Sequence, residues 1–214
     1  MKKKLLIMSV AMVLVCAFAV GMTIAYLTST DEVVNTFTVG NVRIKLDEAE
    51  VDQYGVPQGS PAPRISENVY KLIPGHTYTK DPMVTVLSGS ESSYIKMTVT
   101  FSNSAELDAI FGTDGADLTS IFKGYDENTW IYKGNTENTG NNTRTYEFWY
   151  KNAVPATTKD VALDALFDSI TVPGNINNDQ LKTIAGMTIT VNAYAIQADG
   201  FANAEAAWAE YPAN

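Results

Sequence analysis

Histidine and cysteine, the usual carriers of metal and nucleophilic chemistry, occur once each, as His76 and Cys16. One imidazole excludes sites that need two, including the common hydrolytic zinc centres and any H-E-x-x-H helix. A Ser-His-Asp relay would have to run through His76. That residue sits in Pro74-Gly75-His76-Thr77, which reads as a turn between strands, and the chain has no G-x-S-x-G elbow. Carboxylates are plentiful, but none is singled out as a hydrolytic pair. Asp47, Glu48, Glu50 and Asp52 cluster near a predicted strand end and read as a solvated face. Asp114 and Asp117, beside Gly112 and Gly115, resemble a loose calcium loop without its regular ligand spacing. Trp130, Trp149 and Trp208 would stack on sugars if exposed, and core packing is the expectation for them. No catalytic, metal or cofactor-binding residue is assigned from these patterns, and no cofactor is expected.

The elements that would position such residues are mainly strands. Ile95, Met97, Val99 and Phe101 alternate with Tyr94, Lys96, Thr98 and Thr100, the period-two signature of a half-buried strand. Met187 to Ala195 alternates in the same way. Tyr146 to Tyr150 alternates with aromatics on both faces, which predicts that both are covered. Further strands are predicted over 69–73, 83–87, 129–132 and 169–172. Between Phe37-Val39 and Val42-Ile44-Leu46 the parity breaks at Gly40-Asn41. Either a bulge or turn there, or two short strands facing different layers, satisfies the pattern. Short helices are predicted over 104–111, 117–122, 177–185 and 203–211, several with Ser or Asn at the start and Gly at the end. Residues 52–63 and 134–143, rich in Gly, Pro, Asn and Thr, read as exposed loops. With 23 threonines and turn residues between short strands, the fold class is all-β. The architecture predicted is an antiparallel β-sandwich with a few short accessory helices.

The 214 residues carry 24 acidic and 15 basic groups, a formal charge of −9. That balance argues against a general nucleic-acid-binding surface. Lys2, Lys3 and Lys4 precede a charge-free apolar run from Leu5 to Gly21, the layout of a signal-peptide helix. Thr23-Ile24-Ala25 then supplies modest side chains, which predicts cleavage between Ala25 and Tyr26. The expected organisation is a signal peptide over 1–25 and one domain over 26–214. Membrane attachment is expected only through an uncleaved signal segment. Cys16 lies within the removed run, and Val15 before it is too large for a lipid-attachment site, so the mature chain would have no cysteine. A disulfide framework is excluded.

The junction Gly21-Met22-Thr23-Ile24-Ala25-Tyr26-Leu27-Thr28-Ser29-Thr30, followed by Asn35-Thr36-Phe37-Thr38-Val39-Gly40-Asn41-Val42, resembles a known pattern. So does the turn Leu72-Ile73-Pro74-Gly75-His76-Thr77-Tyr78-Thr79-Lys80-Asp81 and the closing strand Val191 to Ala198. These segments are similar to the TasA/camelysin-like family of exported Gram-positive proteins, processed by a SipW-type signal peptidase. The resemblance implies a jelly-roll-like sandwich and a cell-surface or matrix location. It also implies self-association, in which the segment after the cleavage site completes a neighbouring subunit's sheet. In this sequence the donor would be Tyr26 to Phe37, with Leu27, Val33, Val34 and Phe37 as apolar contacts; a flexible N-terminal tail is the other reading of that segment. The expected partners are further copies or other matrix and surface proteins, with signal peptidase acting during export. The function expected is that of a secreted structural protein rather than an enzyme. A camelysin-like cell-surface metallopeptidase and a carbohydrate-binding surface module are the alternatives.

Overall fold

A computed structural model describes residues 40–111 and 121–211. Eleven strands, all paired antiparallel, dominate it: β1 (Ile44–Ala49), β2 (Arg64–Ile65), β3 (Thr77–Thr79), β4 (Met83–Val86), β5 (Ser93–Ser102), β6 (Phe122–Lys123), β7 (Trp130–Asn138), β8 (Thr143–Tyr150), β9 (Val161–Ala162), β10 (Ser169–Thr171) and β11 (Ile189–Gln197). Three short helices accompany them among the described residues: α1 (Ser104–Phe111), α2 (Asn178–Thr183) and α3 (Ala204–Ala209). The all-β expectation holds.

The long strands form one sheet in the order β11-β5-β8-β7. β5 follows the predicted alternation without a break, with Ile95, Met97, Val99 and Phe101 inward and the residues between them half-exposed. Two smaller sheets, β2-β1-β4-β9 and β3-β10-β6, supply the opposite side of the core. They are joined along one line. Leu163 N–H donates to Val84 O at 2.9 Å, Leu166 to Pro82 O at 3.0 Å, and Lys80 to Asp168 O at 3.0 Å. The segment from β9 to β10 thus runs antiparallel to the whole stretch from β3 to β4, with an irregularity between Leu163 and Leu166.

Between the layers, Phe122 of β6 is the hub of an aromatic cluster. Its ring lies 4.6 Å from Phe167, 5.5 Å from Tyr146 and 5.9 Å from Phe148, centroid to centroid. Tyr146 and Phe148 stand edge-on to Phe122 with their planes near perpendicular, an orientation that suits the ring quadrupoles. Each such side chain contributes about 1.5–3 kcal/mol by burial. Trp130 is fully buried, and its indole N–H donates to Asp164 O at 3.1 Å, so the apolar ring is enclosed without an orphaned donor.

Several local expectations change. Residues 134–143 are not a loop: Gly134 to Asn138 complete β7, and only the turn between β7 and β8 is irregular. Glycine and asparagine read as turn signals there, but Gly134 has φ 126° beside a bulge at Lys133, where a residue without Cβ is needed. Residues 69–73 do not form a strand. Their backbone is held by Gln53 O and the Tyr78 hydroxyl, and Val69 is 76% exposed. After the Gly40-Asn41 break, Arg43 is followed directly by β1; the earlier half of that pattern, with residues 37–39, lies outside the described residues. So does most of the predicted helix 117–122, whose last residue, Phe122, opens β6 instead. The caps of α2 and α3 follow the sequence reading. Asn177 accepts from the N–H groups of Asp179 and Gln180 in a capping box, and Asn203 accepts from Ala206 N–H at 2.9 Å.

Candidate interaction surface

His76 occupies the expected turn after Pro74-Gly75, with Gly75 at φ 74°. Its Nε2 lies 2.7 Å from Tyr54 O, and its ring packs edge-on to Tyr78 at 4.7 Å. A backbone carbonyl and an aromatic ring tether this imidazole, and neither is a partner for hydrolytic chemistry. Among the described residues no group of three or more His, Cys, Asp or Glu side chains is placed to hold a metal ion. Asp114 and Asp117 lie outside the described residues.

The acidic cluster behaves differently from the solvated face expected. Asp47 and Glu48 of β1 are both only 6% exposed, while Glu50 and Asp52 continue into the loop. The Arg64 guanidinium of β2 reaches over the strand: Nε donates to Asp47 Oδ1 at 2.8 Å and Nη1 to Asp81 Oδ2 at 2.5 Å. Beside it, Lys80 Nζ meets Glu48 Oε2 at 2.6 Å, and Asn68 Nδ2 donates to Glu48 Oε1 at 3.0 Å. Burial works to raise the Asp47 carboxyl, but hydrogen bonds and charge from Lys45 and Arg64 outweigh it and hold the group below its ordinary range. Burial, then the negative charges of Glu48 and Asp81, push the Tyr70 hydroxyl up, so it stays a neutral donor, here to Thr79 O at 3.1 Å. Every charge in this network has a partner. It staples the 50–76 segment to the sheet, a structural task, and leaves no group free for proton transfer.

Two features of the four-stranded sheet remain. The first is the edge of β11. Its nine residues pair in unbroken register with β5, from Ile189 opposite Phe101 to Gln197 opposite Ser93. Among the described residues no backbone pairs with its other side. The strand carries neither proline nor a charged side chain, the devices that usually blunt an edge. Gly40, where the described chain begins, sits near the same end of the sheet. Asn41 O accepts from Glu91 N–H at 3.0 Å, and Ala198 N–H donates to Ser92 O at 2.7 Å.

The second feature is the outward face of the same sheet, which divides into two zones. In one, Tyr194, Lys96, Trp149 and Ile131 stand in a row across β11, β5, β8 and β7. α3 covers part of it. Lys96 Nζ lies 4.6 Å from the Trp208 ring centroid and 5.4 Å from those of Tyr194 and Tyr211. Cation–π attraction and the buried faces of Ala207 and Trp208 hold the helix down. On the far side of Trp149, the bulged Lys133 places Nζ 4.1 Å above the indole. The outward face of the Tyr146 to Tyr150 segment is therefore covered at Trp149, as its aromatic pattern predicts, while Glu147 stays half-exposed. In the other zone no helix intervenes among the described residues. Thr190, Thr100, Thr145 and Thr136 form one row across all four strands, flanked by rows through Thr98 and through Thr143.

The three tryptophans resolve into packing roles: Trp130 is in the core, Trp208 is the buried anchor of α3 itself, and Trp149 is half-buried between Lys133 and Trp208. The cleavage residues Ala25 and Tyr26 and the donor contacts Leu27, Val33, Val34 and Phe37 lie outside the described residues. The β11 edge was not singled out from the sequence, although an uncharged, proline-free alternating strand near the C-terminus is its visible signal. Comparison with family models, with curated proteins and with solved structures returns no match.

Proposed function

We propose that this chain is an exported structural protein of the cell surface or extracellular matrix, which associates with further copies of itself by strand addition to a jelly-roll-like sandwich. The outer edge of β11 carries the reading. A nine-residue edge without proline or charge offers a row of main-chain donors and acceptors to an incoming strand. The donor is the segment Tyr26 to Phe37, whose Leu27, Val33, Val34 and Phe37 supply apolar side chains for the pockets beside such an edge. The apolar N-terminal run, the Thr23-Ile24-Ala25 junction and the resemblance to the TasA/camelysin-like family support export and surface placement.

Electron microscopy and sedimentation of protein beginning at Tyr26, compared with protein lacking residues 26–37, test the proposal. The longer form is expected to assemble and the shorter to stay monomeric. A synthetic peptide of residues 26–37 should bind the shorter form and inhibit assembly of the longer. Monomers in both forms across a wide range of pH, salt and concentration would refute self-association.

A further inference from the structure

We infer that the uncovered zone of the outward sheet face is a binding surface for a neutral polysaccharide. The register sets Thr190, Thr100, Thr145 and Thr136 in line, with Thr98 and Glu147 in the next row. Neighbouring strands lie about 4.8 Å apart and alternate residues of one strand about 6.8 Å apart, so the hydroxyls form a two-dimensional lattice at sugar-like spacing. The lattice is held in place: Thr100 Oγ1 and Thr145 Oγ1 are hydrogen-bonded at 2.9 Å, and the backbone beneath is central sheet rather than loop. It ends against Trp149, whose indole N–H donates to Glu147 Oε1 at 2.6 Å.

Charge identifies the occupant. In a chain of net charge −9, solubility is normally served by charged side chains on exposed sheet faces. In these rows Glu147 alone is charged, and its other oxygen lies 3.8 Å from Lys96 Nζ. A basic partner would find one acceptor charge already shared with a lysine. A second copy of the same face would bring another Glu147 against this one. A neutral polyol avoids both conflicts. Its hydroxyls donate to Glu147 and exchange hydrogen bonds with the threonine lattice, and its apolar ring faces lie against the Trp149 edge. Thr100 and Thr145 are the central positioning pair of the surface. The inference is independent of assembly at the β11 edge, because the lattice uses side chains across the sheet and not the strand's free backbone.

The test is retention of the full chain on insoluble neutral polysaccharides (cellulose, chitin and a β-1,3-glucan), with tryptophan fluorescence titration against soluble β-glucan and dextran. Binding to at least one neutral glycan is expected, with a change in Trp149 emission and no binding to alginate as a polyanion. Thr100→Val with Thr145→Val keeps shape and strand preference while removing two hydroxyls, and should weaken binding about tenfold or more. Thr145→Lys, at a half-exposed position, provides a second variant should the first unfold, and should abolish binding. Three results would overturn the inference: no retention on any neutral glycan, binding unchanged in both variants, or an oligomer of the full chain that the variants dissociate.

Discussion

Removing the Lys80 ammonium while keeping its stem is the sharpest perturbation available in the buried ion network. Lys80 and Glu48 meet at 2.6 Å with side chains 9% and 8% exposed, so neither charge has bulk water to fall back on. In Lys80→Met the Glu48 carboxylate keeps only Asn68 Nδ2 as a side-chain donor. An uncompensated buried charge of this kind costs about 3–5 kcal/mol. For a domain of this size that lowers the thermal midpoint by roughly 8–15 °C. Glu48→Gln should cost a similar amount, because it leaves the ammonium facing an amide and the Tyr70 ring, 5.9 Å away. The double variant, with both charges removed and the Asn68 contact kept, should return to within about 1–2 kcal/mol of the parent. Urea unfolding at neutral pH, fitted for midpoint and slope, measures all four proteins. Single losses below about 1 kcal/mol, or a double loss equal to the sum of the singles, would refute this account of the network.

Two further outcomes follow from described geometry. The folded-state carboxyl of Asp47 lies below its ordinary value, so its contribution is fully present above that value and is lost as pH falls through the depressed one. The stability-against-pH curve should therefore fall as pH drops below the ordinary carboxylate range, and Arg64→Gln should flatten that fall; an unchanged curve in the variant contradicts the assignment. Gly124 (φ 80°) and Gly186 (φ 76°) share a left-handed backbone, but a Cβ at Gly124 would sit 2.1 Å from Asp168 Oδ2 while one at Gly186 meets nothing within 4 Å. Gly186→Ala should cost about 1 kcal/mol from backbone strain alone, and Gly124→Ala at least about 1 kcal/mol more, compared by urea midpoints.

Strands whose neighbours are apolar and regularly spaced were legible from the sequence. Ile95 to Phe101 and Ile189 to Ala195 keep one parity throughout, and a half-buried sheet demands nothing else of them. Helix starts at Asn177 and Asn203 were legible because capping is a local interaction. What escaped was non-local. The burial of Asp47 and Glu48 depends on Arg64 of β2 and Lys80 of the link between β3 and β4, which have no signature beside the acids. Val69 to Ile73 has a strand composition, yet the hydroxyl of Tyr78 and the carbonyl of Gln53 engage its backbone first. Gly134 to Asn138 has a loop composition, yet β8 supplies partners that outweigh it. Of the candidate surface, the alternating threonines could be read off, but not the register that aligns those of four strands into one lattice.

The position of β11 beside β5 also constrains when the fold can form. β5 ends at Ser102, but one of its two neighbours is the last strand of the chain. β6, β9, β10, α1 and α2 are all synthesised between them. Closure of the central sheet spans residues 93–197, about half of the sequence, a topology that folds slowly because chain entropy is lost before the pairing is gained. During synthesis one side of β5 stays open until Gln197 has appeared, which makes nascent chains prone to mispairing at that strand. On the proposed export route, a chain threaded N-terminus first through a narrow channel would lack the last strand of its central sheet until almost all of it had crossed.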